Sequence, residues 1–190
     1  MKALEEKILK EGKVYPGNIL KVAGFLNHRI DTDFVMEMGK EIAGLYEGSG
    51  VNKVLTIEAS GIAIAFAAAS YMHVPVVFAK KNTTSNLNAD LYSSVVHSFT
   101  HGRDYNVVVS KEFLGKEDRV LLVDDFLANG AALIGLKDIV SQAGATLVGA
   151  AIAIEKGFQG GGDELRKQGM RIESLALIDS MTDTDIKFRS

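Results

Sequence analysis

Four short segments of this chain, residues 53–57, 75–79, 119–124 and 147–154, are apolar almost throughout. A strand with one face in water alternates polar and apolar residues, whereas strands this evenly apolar are covered on both faces. Helix-forming stretches separate them: an alanine-rich run over 62–72 and a second run over 131–143. Strand, helix and strand in alternation, with doubly buried strands, predict an α/β fold: a central parallel sheet flanked by helices on each side.

The remaining segments decorate that core. Residues 1–7 have a charged amphipathic pattern and predict a helix ending near Gly12, followed by a turn at Tyr15-Pro16-Gly17-Asn18 and an extended stretch over 19–22. Asp31 is placed to cap a helix over 32–46, with Phe34, Val35, Met38, Ile42 and Leu45 on one face. Residues 82–113 break the pattern. A polar segment, Asn82 to Asn88, precedes two β-rich runs over 91–100 and 105–110 that flank His101-Gly102-Arg103-Asp104. They predict an antiparallel hairpin inserted in the parallel sheet, and its polar content predicts that it moves.

A length of 190 residues fits a single domain spanning 1–190. The absence of cysteine excludes disulfides, thiolate metal sites and a thiol nucleophile, and matches a reducing compartment. With 21 basic and 24 acidic residues the net charge is −3, which argues against nucleic acid as a general partner. No apolar run reaches the ~18 residues of a membrane span, and the start lacks a signal-peptide core. These features predict a cytoplasmic protein with no membrane partner.

In an open parallel sheet, ligands gather where strands end and the next helices begin. The sharpest candidate is Val120-Leu121-Leu122-Val123-Asp124-Asp125-Phe126-Leu127-Ala128-Asn129-Gly130-Ala131-Ala132. Two carboxylates close the strand, residues 127–130 form a small-residue turn, and a helix follows. The amides of Ala128, Asn129, Gly130, Ala131 and Ala132 can cradle a phosphate at the helix N-terminus. Asp124 and Asp125 can accept hydrogen bonds from sugar hydroxyls beside it, or hold a hydrated magnesium ion. The plainer alternative is a capped helix after an ordinary turn, and neither common phosphate-loop pattern, GxGxxG or GxxxxGK[ST], occurs here.

This segment resembles the phosphoribosyl pyrophosphate (PRPP) motif of type I phosphoribosyltransferases. It departs from the general pattern at Asn129 and Ala132, where hydroxyl residues are usual, and in that departure it is similar to the bacterial xanthine-specific branch. The likeness continues in order along the chain. Leu20 to Asp31, with Phe25-Leu26-Asn27-His28, resembles the base-binding N-terminal segment. Ile57-Glu58-Ala59-Ser60-Gly61-Ile62-Ala63 resembles the pyrophosphate loop, Pro75 to Lys81 the strand ending in basic residues, and Ile154-Glu155-Lys156-Gly157-Phe158 the segment closing over the base.

The resemblance implies an enzyme that joins a purine, xanthine, to the ribose of PRPP, giving xanthosine 5′-monophosphate and pyrophosphate, and acting as a homodimer. Asp124 and Asp125 would be catalytic, and Ala128 to Ala132 would bind PRPP. Ser60, Gly61, Lys80 and Lys81 would bind pyrophosphate, the plainer alternatives being a helix cap for Ser60 and a solvated strand end for the lysines. Leu20, Asn27 and Lys156 would bind xanthine, with Phe126 or Phe158 stacking on the ring or packing in the core. Magnesium would travel with PRPP, with no protein side chain assigned as its ligand. Segments of about 1–30 and 155–190 would form a hood over the base, and about 82–110 a flexible hairpin. Specificity for adenine or for hypoxanthine and guanine stays open, as does a non-catalytic PRPP-sensing regulator of purine genes. The winged-helix domain of DNA-binding regulators has no room in the roughly 50 residues before the first sheet strand. His97 and His101 are read as solvent-facing hairpin residues with no carboxylate at ligand spacing nearby, not as metal ligands, and Gly160-Gly161-Gly162 as a flexible turn.

Overall fold

The computed structural model describes residues 1–82, 90–98 and 103–189. Helix α1 (Lys2–Glu11) leads into a hairpin of β1 (Lys13–Tyr15) and β2 (Ile19–Lys21), and a π-helical turn (Ala23–Asn27) precedes α2 (Thr32–Leu45). The core follows: β3 (Lys53–Ile57), α3 (Gly61–Met72), β4 (Val76–Asn82), β5 (Leu91–Ser98), β6 (Arg103–Ser110), β7 (Arg119–Leu127), α4 (Ala131–Gln142) and β8 (Thr146–Lys156). A 3-10 turn (Gly157–Gln159), α5 (Gly161–Lys167), β9 (Ile172–Met181) and β10 (Ile186–Phe188) complete the chain.

Eight strands form one sheet in the order β10-β9-β8-β7-β3-β4-β6-β5. The centre, β9-β8-β7-β3-β4, is parallel. Both margins are antiparallel: β10 against β9, and the β5–β6 pair against the end of β4 through Lys80↔Val108 and Lys81↔Val107. The expected α/β architecture is what the chain adopts. The two β-rich runs do form an antiparallel pair. Residues 83–89 of the polar segment and residues 99–102, including His101 and Gly102 of the expected hairpin tip, lie outside the described residues.

The alternation of strand residues explains the two cores. Val54, Leu121, Val123, Ala151 and Ala153 face α1, α2 and α3. Their neighbours Leu55, Ile57, Val120, Leu122, Ala150 and Ile152 face α4 and α5. Leu133, Leu136, Ile139 and Val140 of α4 are buried, each side chain contributing about 1.5–3 kcal/mol of transfer free energy. Asp31 caps α2 as expected, accepting from the Phe34 amide at 3.3 Å. Lys7 bonds the same Asp31 at 2.8 Å and lies over the rings of Phe25 and Phe34, which ties α1 to the π-helical turn.

Two sequence expectations need correction. Strand β7 runs two residues past the acid pair, pairing Phe126 with Ile154 and Leu127 with Glu155, because β8 also extends to Lys156 and offers partners there. The turn is therefore Ala128–Gly130 rather than 127–130. Of the three glycines at 160–162, only Gly160 is an exposed turn residue. Gly161 and Gly162 are buried and open α5, where neighbouring atoms leave no room for a Cβ. Of the C-terminal stretch assigned to a hood, β9 lies inside the main sheet, parallel to β8.

Candidate active site

Asp124 and Asp125 sit on β7 and are 4% and 7% exposed. The Asp124 Oδ1 accepts from the Asp125 amide at 3.0 Å. Asp125 Oδ2 accepts from Asn27 Nδ2 at 3.3 Å, so the π-helical turn delivers Asn27 directly to the acid pair. Burial first, and the neighbouring Asp125 second, push the Asp124 carboxyl well above the usual carboxylate range, while Lys81 pulls the other way. Ionising both members of a buried like-charged pair is costly. The site therefore calls for a cation or for hydroxyl donors.

Beyond β7, Gly130 has φ +87°, a conformation costly for residues with a side chain, and its carbonyl starts α4. The Asn129 Oδ1 accepts from the Ala131 amide at 3.1 Å, which turns the Asn129 amide group outward as a donor. The first-turn amides of α4 have no intrahelical partners, and the helix dipole is positive there. The 12 residues of α4 give that end a full dipole.

The Ser60–Gly61 loop faces this strand end. Ser60 is itself helical, with φ −67° and ψ −30°, and makes no capping bond. The capping alternative is thus corrected: a cap needs an extended residue whose oxygen turns back to the helix amides. Gly61 backs onto the acid pair, since a Cβ there would meet Thr56 Oγ1 at 2.1 Å and Asp124 Oδ1 at 3.1 Å. The Thr56 hydroxyl is fully buried and has no hydrogen-bond partner among the described residues. Glu58, joined to Ala59 by a cis peptide, accepts from the Lys81 amide at 2.7 Å. Lys81 Nζ lies 5.2 Å from the Tyr105 ring centre and its charge acts on Asp124. Lys80 is exposed and, by the two-residue strand period, projects to the opposite face.

At the end of β8, Lys156 Nζ donates to the Asn18 carbonyl at 2.8 Å and stands 5.7 Å from the Phe126 ring centre. Burial pushes its ammonium below the ordinary lysine value of 10.5. Leu20 is buried on the hairpin that supplies Asn18, and Phe158 packs partly into the core. Beside the acid pair, a cleft of about 620 Å³ opens between α2 and α3, where Asn27 and Ser60 meet apolar Leu26, Ile62 and Phe66.

The structure thus brings Asn27, Gly61, Lys81, Asp124 and Asp125 together, with Asn129–Ala132 beyond the same strand. Lys156 and Leu20 form a neighbouring group, and Lys80 joins neither. Sequence reading missed Tyr105, whose hydroxyl is raised by burial and by Asp124. It reaches the site through the β4–β6 pairing, for which no local pattern exists. It also missed Asp104, which bonds His97 at 2.5 Å across the β5–β6 pair, so a carboxylate does stand beside that histidine. Among the described residues no three His, Cys, Asp or Glu side chains are grouped to hold a metal.

A family profile described as the phosphoribosyl transferase domain matches residues 29–184. The chain belongs to that family. Among phosphoribosyl transferases it is 58% identical to xanthine phosphoribosyltransferase 1 of Clostridium perfringens over 190 residues, all of both chains. It is 54% identical to xanthine phosphoribosyltransferase 2 of Clostridium botulinum, again over the whole of both. Among solved structures, the adenine phosphoribosyltransferase of Thermoanaerobacter pseudethanolicus superposes with a TM-score of 0.72 at 22% identity, covering 92% of this chain and 98% of that one. At that identity the likeness shows the fold of this phosphoribosyl transferase alone.

Proposed function

We propose that this chain transfers the phosphoribosyl group of PRPP to xanthine, releasing pyrophosphate and xanthosine 5′-monophosphate. The observation that carries the reading is full-length identity above 50% to relatives named for that activity. The geometry supports it with one anion-binding helix end, one acid pair and one half-buried lysine in adjacent positions.

In this reading the amides of Ala128–Ala132 and the outward amide of Asn129 hold the 5′-phosphate. Asp124 and Asp125 accept from the ribose hydroxyls, exchanging a repulsive pair for hydrogen-bonded neighbours. A purine nitrogen forms a bond to the anomeric carbon as the carbon–oxygen bond to pyrophosphate breaks. The bonding pair leaves with pyrophosphate and the purine proton passes to water. The sugar becomes oxocarbenium-like, so fixed position and negative charge nearby accelerate the step. Ser60, Gly61 and Lys81 receive the leaving group, Lys81 bringing charge from beside Tyr105. Lys80 would reach it only from the other strand face.

The donor set at β7, two buried carboxylates beside an anion cradle, fits magnesium arriving with PRPP, since this ion favours one or two carboxylates plus substrate oxygens and water. Its charge would neutralise the leaving oxygens. Leu20, Asn27 and Lys156 hold the base. The Lys156 ammonium donates to a xanthine carbonyl, and an adenine amino group at that position would offer it no acceptor. The N-terminal hairpin and the 3-10 turn after β8 form the hood, and the β5–β6 pair is the lid that excludes water. No helix among the described residues is long and apolar enough to cross a membrane. The reading takes the enzyme as a cytoplasmic homodimer acting on small molecules.

Initial rates with PRPP and four bases test this. Xanthine should give the highest kcat/KM, with adenine at least about 100-fold lower, as expected where a buried donor is left unpaired. Equal or better turnover of adenine would overturn the assignment.

A further inference from the structure

The fully buried carboxylate of Glu155 has no part in the chemistry above, yet Glu155 precedes Lys156 on β8 and pairs with Leu127, the last residue before the phosphate loop. Both of its oxygens accept from Arg166 of α5, at 2.7 Å from Nη1 and 2.7 Å from Nη2. The hydroxyl of Ser174 on β9 donates to Oε2 as well. Arg166 also donates twice to the Ile172 carbonyl, at 3.3 Å from Nε and from Nη2. One guanidinium thereby joins the ends of β8, α5 and β9.

The glycines that open α5 show what this clasp presses against. A Cβ on Gly162 would stand 2.0 Å from Glu155 Oε1, so α5 approaches the carboxylate as closely as a backbone can. A Cβ on Gly161 would lie 2.4 Å from the Ala128 carbonyl oxygen and 2.3 Å from the Asn129 carbonyl carbon. The Gly161 amide donates to that same Ala128 oxygen at 3.2 Å. Leu165 reaches within 3.0 Å of where a Gly130 Cβ would be. The start of α5 is therefore wedged between the phosphate loop on one side and Glu155, next to Lys156, on the other.

We propose that Arg166 and Glu155 are positioning residues that set the phosphate loop and the base lysine in register, through the Gly161–Gly162 wedge. This rests on the assignment of Ala128–Ala132 to PRPP and of Lys156 to the base. A planar guanidinium meeting both carboxylate oxygens fixes orientation as well as distance, which a lysine cannot reproduce. Losing that orientation shifts both subsites together, and displacements of this kind cost up to about 100-fold in rate.

The test uses the full-length enzyme with Arg166→Lys, and Ser174→Ala as a milder variant should the first not fold. Thermal unfolding and both Michaelis constants are measured for each. The proposal expects the KM for PRPP and the KM for xanthine to rise together, by about fivefold or more in Arg166→Lys, with a smaller parallel rise in Ser174→Ala. A lowered Tm with both constants within twofold of wild type would make the clasp purely structural and overturn the proposal. A rise in one constant alone would overturn the coupling. Lys156→Ala is run alongside to read the base assignment by itself. If that variant keeps the wild-type KM for xanthine, the base reading fails, whatever Arg166→Lys does.

Discussion

Asp124 and Asp125 are neighbours on a buried strand, and folding holds them in contact with no cationic side chain among the described residues bonded to either. Because the folded carboxyl of Asp124 is raised above its unfolded value of 3.8, the folded state holds that proton more tightly. Stability therefore falls as pH rises from about that value through the folded pKa, and the loss persists at neutral pH. Asp124→Asn should remove this cost: we expect a Tm higher by a few degrees at neutral pH, about 2–4 °C per kcal/mol for a chain of this length. The gain should fade as pH approaches 3.8, and the same variant should lose almost all turnover. Paired thermal scans at acidic and neutral pH, with an activity assay, check it. Lys156 is the converse case. Its ammonium is depressed by burial, so Lys156→Met costs the fold little, while losing a charged hydrogen bond of about 1.5–3 kcal/mol should raise the KM for xanthine roughly 10- to 100-fold. Steady-state kinetics on xanthine reads this directly.

Elements hold these residues in place by close contact more than by bulk. Helices α2 and α3 meet at Gly39, where a Cβ would come within 2.4 Å of Ala67. Gly39→Ala should therefore destabilise by about 1–3 kcal/mol through overpacking, seen as a shifted denaturant midpoint. The alanine-rich pattern of α3 and the apolar runs of the parallel strands were legible because burial on both faces leaves no place for polar residues. The Asp31 cap was legible for the same local reason, a side chain bonding its own helix. The ends of β7 and β8 were not. Asp124 and Asp125 look like the end of a strand until β8 is known to continue beside them. Gly161 and Gly162 look like a loop until Ala128 is seen to press on the first and Glu155 on the second.

At the scale of the whole molecule, the site is assembled from segments far apart in the chain. Asn27, Gly61, Lys81, Tyr105 and Asp124 come from five elements, and only the sheet order β7-β3-β4-β6 brings β4 and β6 to the same side of the strand that carries the acids. The motif at β7 could be read alone, since strand, loop and helix are contiguous. Tyr105 and the Thr56 hydroxyl could not, because their placement depends on strand pairing and on helix packing. The acid pair and the loop after it must together grip activated ribose for this site to work as proposed. Calorimetric titration of PRPP with magnesium into the wild-type chain and into Asp124→Asn/Asp125→Asn measures that most directly. We predict saturable binding at one site per chain in the wild type, abolished in a double variant whose thermal unfolding stays cooperative. No heat of binding in the wild type, or equal affinity in the double variant, would contradict it.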